Sequence, residues 1–296
     1  GYSVAVMEMG KRWTAKDFAD SNWNLKKWIW RPGAGLRGFF NMRPFRHVMI
    51  ICGNAVGGGS ITYANTLLVP PDHIWAEGSW AGATNWTASM PRYYAMAEQM
   101  LGVTENQLLG PADHLLKQMG DEIGVGHTFK PTRVATFFPP AGEAGGKTYP
   151  DPYFGGAGPD RGTCTGCGGC MTGCKHNAKN TLDKNYLYFA EKLGTQVFAE
   201  TQVIDVSPLN GKQDGSDGYQ VVTKSSTARL NSRRRTWRAR HVIFSASSLG
   251  TQELLFRLKQ SGSLPNISDD LGNRVRTNAE SILGVRFPGK DIDLSK

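Results

Sequence analysis

The stretch Gly53-Asn54-Ala55-Val56-Gly57-Gly58-Gly59-Ser60-Ile61-Thr62-Tyr63-Ala64-Asn65 follows the apolar run Val48-Met49-Ile50-Ile51-Cys52. Its consecutive glycines leave no Cβ over a span long enough to lie flat against a planar ligand. Glycine also enters positive φ freely, so successive N–H groups can converge on an anion or a ring oxygen. Ser60 adds a hydroxyl, and Tyr63 and Asn65 add a ring and an amide shortly after. A flexible surface turn has the same composition, so a ligand-binding loop needs support from the rest of the chain.

One support lies upstream. Val4-Ala5-Val6-Met7 is a continuous apolar run that ends in Glu8, the pattern of a buried parallel strand. In a dinucleotide-binding unit, an acidic residue at the end of the second strand binds the ribose hydroxyls, and Glu8 fits that place. The matching phosphate loop would lie about twenty residues earlier, before residue 1. An ordinary strand end with a solvated glutamate explains the same residues. Gly33-Ala34-Gly35-Leu36-Arg37-Gly38 matches G-x-G-x-x-G, but Pro32 precedes it and Pro44 leaves little room for the required helix. It reads as a loop.

Residues 90–102 read as a helix with proline at its start and glycine after its end, and residues 111–119 as another stopped by Gly120. Trp75, Trp80 and Trp86 punctuate the loop before them, and the Pro/Gly-rich residues 131–160 are expected on the surface. Residues 197–206, 219–223 and 235–239 read as strands, with turns at Asn210-Gly211 and Asp217-Gly218. His241-Val242-Ile243-Phe244-Ser245-Ala246 reads as a buried strand that enters the small-residue turn Ser247-Ser248-Leu249-Gly250-Thr251 and a helix over 252–259. A strand, turn and helix in that order aim backbone N–H groups at a cofactor or phosphate edge.

Composition sets the outer bounds. The 296 residues suffice for one large domain or two moderate ones, and 40% hydrophobic with 20% charged content is globular. No apolar run approaches the ~18 residues of a membrane span. The net charge of +9 is concentrated in Arg229, Arg233, Arg234, Arg235, Arg238 and Arg240, which read as the solvated edge of a hairpin. No nucleic-acid motif accompanies them, so no nucleic-acid partner is expected. The first residue is Gly1 and the last stretch, 290–296, is polar without a closing element, which suggests an internal piece of a longer protein. The absence of a signal peptide therefore decides nothing.

Four of the five cysteines form Cys164-x2-Cys167-x2-Cys170-x3-Cys174, the spacing of bacterial ferredoxins. Lys175 stands where ferredoxins carry proline, and no second cysteine set is visible, so Cys52 or a residue beyond 296 would have to complete a cluster. Zinc usually takes two C-x2-C pairs separated by a long loop. An iron–sulfur cluster, a cysteine-rich structural turn, zinc and disulfides all remain open here.

Taken in order, Glu8, the Gly57–Ser60 loop, the strand holding Val203 and the 242–251 segment resemble the glucose–methanol–choline oxidoreductase family, in its cholesterol oxidase-like branch. The resemblance covers nearly the whole chain and is most specific over 53–65 and 239–255. Residues 164–190 look like the cysteine-bearing insert of related alcohol oxidoreductases. The resemblance implies an α/β fold: a Rossmann-like FAD-binding domain with an antiparallel-sheet substrate domain, incomplete at both ends. Residues 1–70 would be the FAD-binding part without its first βα unit. Residues 71–195 would be a helical and loop region with the cysteine insert. Residues 196–289 would return to the FAD-binding sheet and begin the substrate domain, and 290–296 would be a truncated end.

Matched residue by residue, Glu8 would hold the adenosine ribose, and Gly58, Gly59 and Ser60 would lie along the pyrophosphate and isoalloxazine. Val203 would contact adenine through its backbone, and Ala246 and Gly250 would line the nucleotide side. Tyr63 takes a flavin-side position where the related sterol oxidases carry asparagine, and Thr66 replaces their methionine. The family's catalytic histidine and asparagine would lie beyond residue 296. None of His47, His73, His114, His127, His176 and His241 occupies a matching motif. The implied reaction is hydride transfer from an alcohol, a sterol above all, to FAD, with O₂ or another acceptor. Two alternatives remain: an iron–sulfur flavoprotein alcohol dehydrogenase that uses Cys164, Cys167, Cys170 and Cys174, and a non-catalytic cysteine-rich binding protein. Contact with a membrane surface is compatible with a sterol substrate. Location stays open between the cytoplasm and a membrane surface, and oligomeric state is unknown.

Overall fold

In the computed structural model, residues 1–21, 23–228, 232–275 and 278 are described. Arg229 and the polar stretch 290–296 lie outside them. The chain divides into two compact units. The first takes Gly1–Trp13, Ser21–Gly59 and the described residues from Gly194 onward; the second takes Thr14–Asp20 and Ser60–Leu193. No helix among the described residues is long and apolar enough to cross a membrane.

The first unit mixes helices with small sheets. Ala5–Met7 pairs in parallel with Gln196–Phe198, with Val6 opposite Val197. Phe40–Pro44 and Met49–Gly53 form an antiparallel hairpin. Thr201–Pro208, Tyr219–Ser225 and Arg235–Ala239 form an antiparallel meander with a bulge between Val203 and Asp205. Asn210 and Gly211 take φ of 55° and 70° in the first connection, as an Asn-Gly turn requires. The helix Ser247–Gln260 places Leu254 and Leu258, four residues apart, on one face. There they pack against Val206 and Val221 of the meander, with Val203, Trp237, Val242 and Phe244 around them. Leu258 is fully buried, so Leu258→Ala is expected to cost about 2–5 kcal/mol, read as a lowered denaturant midpoint.

Three expectations for this unit are corrected. Residues 241–246 form no strand pairing among the described residues. Val242 and Phe244 face the core while Ile243 is 87% exposed. A parallel strand is buried on both faces only when neighbours and covering helices are present, and the described residues hold a single parallel pair of strands. The helix also starts at Ser247, not at Gln252, so the small residues form its first turn. For the same reason Val4 is 45% exposed instead of buried.

The second unit holds helices Pro91–Leu101 and Pro111–Glu122. Gly102 ends the first with φ of 56°, the left-handed cap that favours glycine. The second runs through Gly120 and stops before Gly124, which takes φ of 78°. Gly120 is retained in the helix because Gly126 packs 3.3 Å from where its Cβ would be. Trp75, Trp80 and Trp86 form one aromatic cluster with ring centroids 5.4–5.9 Å apart. Residues 131–160 are not all surface. Arg133–Val134 pairs with Thr104–Glu105, and Ala135, Thr136 and Phe138 are buried.

Candidate functional site

In the first unit the segment from Cys52 to Val56 is the spine of a site. Cys52 lies 3.9 Å from the Ser247 hydroxyl at the start of helix Ser247–Gln260. Gly53 abuts the glycine loop, since a Cβ there would lie 2.6 Å from the Gly58 carbonyl oxygen. Asn54 packs against Gly10, where a Cβ would collide with its carbonyl. Ala55 bridges Lys11 in parallel, and the Val56 N–H donates to the Lys11 carbonyl at 3.1 Å. One segment thus gathers the glycine loop, the chain just after Glu8 and the helix start after Ala246. Gly10 was not singled out from the sequence. Gly10, two residues past the strand-end acid, was the available signal.

The glycine loop itself is a tight turn. Gly57 and Gly58 take φ of 104° and 56°, a conformation in which side-chain-bearing residues are strained. Gly58 donates to the Ala55 carbonyl at 2.7 Å and begins the 3₁₀ turn Gly58–Ile61. A Cβ at Gly58 or at Gly59 would meet nothing within 4 Å. The Asn54 side-chain nitrogen beside this loop is buried without a hydrogen-bond partner. The open space at Gly58 and Gly59 leaves room for a ligand to lie close against the backbone.

Glu8 stands immediately after strand Ala5–Met7, and its carboxylate accepts the Gly10 N–H at 2.6 Å. Burial pushes its pKa up to about 7, against the lowering effect of the Gly10 and Met9 N–H groups. The group is poised to become ionised when a donor arrives. Val203 is partly buried against the helix, just before the bulge. Ala246 is exposed, and its N–H donates to the Thr251 hydroxyl at 2.9 Å. A Cβ on Gly250 would lie 3.3 Å from the Ala246 Cβ, so glycine there permits a close approach.

In the second unit the arm that follows the glycine loop is held by residues 179–182. The Ser60 hydroxyl accepts the Leu182 N–H at 2.9 Å. The Tyr63 hydroxyl donates to the Asn180 carbonyl at 2.8 Å, and burial raises its pKa further above the phenol range. Lys179, 2% exposed, donates to the carbonyls of Ile61, Tyr63 and Cys170 at 3.0, 3.1 and 2.8 Å. Three acceptors match the three protons of an ammonium. Burial nevertheless lowers its pKa to about 8.

Cys164, Cys167, Cys170 and Cys174 line one small hollow of about 20 Å³ with His176 and Lys179. That is room for one water-sized occupant, not for a cubane. The Cys174 sulfur accepts the N–H groups of Ala178 and Lys179 at 3.2 and 3.4 Å, and Cys164 accepts that of Gly166 at 3.4 Å. Burial, and then the neighbouring thiols, raise the pKa of Cys164; burial also raises that of Cys170, where Lys179 pulls the other way. Among the described residues no group of three or more His, Cys, Asp or Glu side chains stands ready to hold a metal ion. Lys175, at the ferredoxin proline position, pairs with Asp20 at 2.9 Å. Cys167→Ser in the full-length protein is expected to leave turnover unchanged. Stoichiometric iron and acid-labile sulfide in the wild type, lost in this variant, would contradict that.

No family profile matches the chain. Among curated relatives, it is 78% identical over 296 residues to a cholesterol oxidase of Acinetobacter baumannii, covering all of this chain and 53% of that protein. It is 46% identical over 299 residues to a cholesterol oxidase of Mycobacterium tuberculosis (strain ATCC 25618 / H37Rv), covering all of this chain and 51% of that protein. It is 25% identical over 305 residues to the long-chain-alcohol oxidase FAO4B of Arabidopsis thaliana, covering all of this chain and 35% of that protein. The chain spans about half the length of the bacterial relatives it matches.

Proposed function

Since the chain is a cholesterol oxidase-like segment of the glucose–methanol–choline oxidoreductase family, we propose that the full-length protein is an FAD-dependent oxidoreductase that oxidises a sterol hydroxyl. The observation that carries this reading is the gathering of Glu8, the glycine loop and the helix start on the segment 52–56. The unfilled space at Gly58 and Gly59 fits a cofactor that lies close against the backbone. When bound, the flavin supplies hydride acceptance from the alcohol carbon and passes the electrons on to O₂ or another acceptor.

The chain's own residues bind and orient. Glu8, ionised, would accept the ribose hydroxyls. Gly58, Gly59 and Ser60 would run along the pyrophosphate and ring, Val203 would meet adenine through its backbone, and Ala246 and Gly250 would line the nucleotide side. Tyr63 would offer its ring, because its hydroxyl already donates to Asn180. The substrate is a small-molecule sterol alcohol, and contact with a lipid surface is how such a substrate would be reached. No base is assigned within these residues.

The test is product analysis with the full-length protein. Incubation with a 3β-hydroxysterol and either O₂ or an artificial acceptor should yield the corresponding ketosteroid. A flavin-loaded protein that oxidises long-chain alcohols but no sterol would overturn the substrate. A colourless, correctly folded protein would overturn the reaction.

A further inference from the structure

The arginines between 229 and 240 have no part in the flavin reading. One of them, Arg234, borders a cleft of about 580 Å³ in the first unit, together with Lys224 of strand Tyr219–Ser225 and Arg257 of helix Ser247–Gln260. That volume suits a small-molecule ligand. The bulge in strand Thr201–Pro208 leaves Ile204 out of the pairing register, and Ile204 lines the cleft with Val222. Both of these residues are half-buried, while Lys224, Arg234 and Arg257 are exposed.

The charges in the cleft do not balance. Among the described residues, none of the three cations has an ion-pair partner. Asp205 is the one carboxylate among the described lining residues, and its Oδ1 accepts the Ser263 hydroxyl at 2.6 Å. Cations gathered without a matching counter-charge repel one another and raise the local potential. A cation in the last helical turn complements the helix dipole, which accounts for Arg257 alone. Lys224 and Arg234 come from other elements and have no such role.

We propose that this cleft is a site for the phosphate of an anionic phospholipid headgroup. Lys224, Arg234 and Arg257 would meet the phosphate, and the Ser232 hydroxyl would donate to it. Ile204 and Val222 would carry the apolar stem beyond the headgroup. Exposed cations beside half-buried apolar residues fit an amphiphilic anion, whereas a free phosphate would leave Ile204 and Val222 unused. The site shares none of the residues assigned to the flavin, so either reading can fail alone.

The experiment sediments the full-length protein with vesicles of phosphatidylcholine, alone or mixed with phosphatidylglycerol. At low ionic strength, binding should be about 100-fold stronger to the mixed vesicles, and it should fall as salt screens the charges. Lys224→Gln, Arg234→Gln and Arg257→Gln combined should weaken that binding about 100-fold at unchanged melting temperature, since each basic residue near an anionic surface contributes about fivefold. Lys16→Gln, Lys117→Gln and Lys130→Gln combined remove as much charge from exposed positions of the second unit. They should weaken binding by no more than about fivefold. Dihexanoylphosphatidylglycerol should displace the wild type from vesicles, and inorganic phosphate at matched ionic strength should not. Equal loss in the two triple variants would reduce the attraction to net charge and overturn the site. Equal displacement by inorganic phosphate would overturn the lipid assignment. Equal binding of wild type to neutral and mixed vesicles would overturn the proposal without recourse to any variant.

Discussion

Gly58→Val in the full-length protein is expected to abolish flavin retention, with affinity lower by more than about 100-fold. Two effects combine. Gly58 sits at φ of 56°, where a β-branched residue is strained by roughly 1–3 kcal/mol. The valine side chain would also fill the space beside the loop, where nothing lies within 4 Å of a Cβ. Because valine disturbs the backbone as well as the space, a gentler partner isolates the second effect. Gly59 has no positive φ, and a Cβ there also meets open space. If that space is only solvent, Gly59→Ala changes nothing. If a ring or phosphate lies there, Gly59→Ala loses about tenfold or more in FAD affinity at unchanged melting temperature. Flavin stoichiometry and fluorescence titration read both variants.

Glu8→Gln should move stability and affinity in opposite directions. Burial raises the Glu8 pKa from 4.5 to about 7 in the folded chain. A carboxyl raised on folding binds more protons in the native state across that window. Its contribution to stability is therefore full below pH 4.5 and is lost as pH rises through 7. The size is about 3 kcal/mol, from about 1.36 kcal/mol per pKa unit. The apoprotein should thus weaken between these pH values, and Glu8→Gln should flatten that dependence and raise the melting temperature at pH 8. The same variant should bind FAD about 10- to 100-fold more weakly, since a charged acceptor for the ribose hydroxyls is gone. A variant that loses stability and keeps its affinity would place Glu8 among ordinary strand ends.

How much of this was legible in the sequence differs between elements for physical reasons. The strands within 201–208, 219–225 and 235–239 were readable because turns with their own chemistry, such as Asn210-Gly211 and Asp217-Gly218, punctuate them. The helix Pro91–Leu101 was readable from its proline start and Gly102 end. The run 241–246 was misread because apolar continuity reports burial potential, and the burial of a parallel strand depends on neighbours that the described residues lack. Gly120 was misread as a stop because the reason it stays helical, contact with Gly126, is tertiary. In the candidate site, the glycine loop and Glu8 stood out by type and position. Gly10 did not, because it is glycine on account of the Asn54–Ala55 backbone that approaches from elsewhere in the chain.

The cysteine spacing shows the opposite hazard. Cys164, Cys167, Cys170 and Cys174 carry a ferredoxin-like pattern. The fold does gather them at one hollow, with N–H groups aimed at two of the sulfurs. The hollow is nonetheless sized for a water. Spacing reports which side chains can meet, while volume and convergence decide what they can hold.

The most direct test of the central claim is an anaerobic titration of the full-length, flavin-loaded protein with a 3β-hydroxysterol, followed by visible absorption. The account predicts that the oxidised flavin bands bleach with one equivalent of sterol and return on admission of an electron acceptor. Flavin bands that persist at saturating sterol would contradict it.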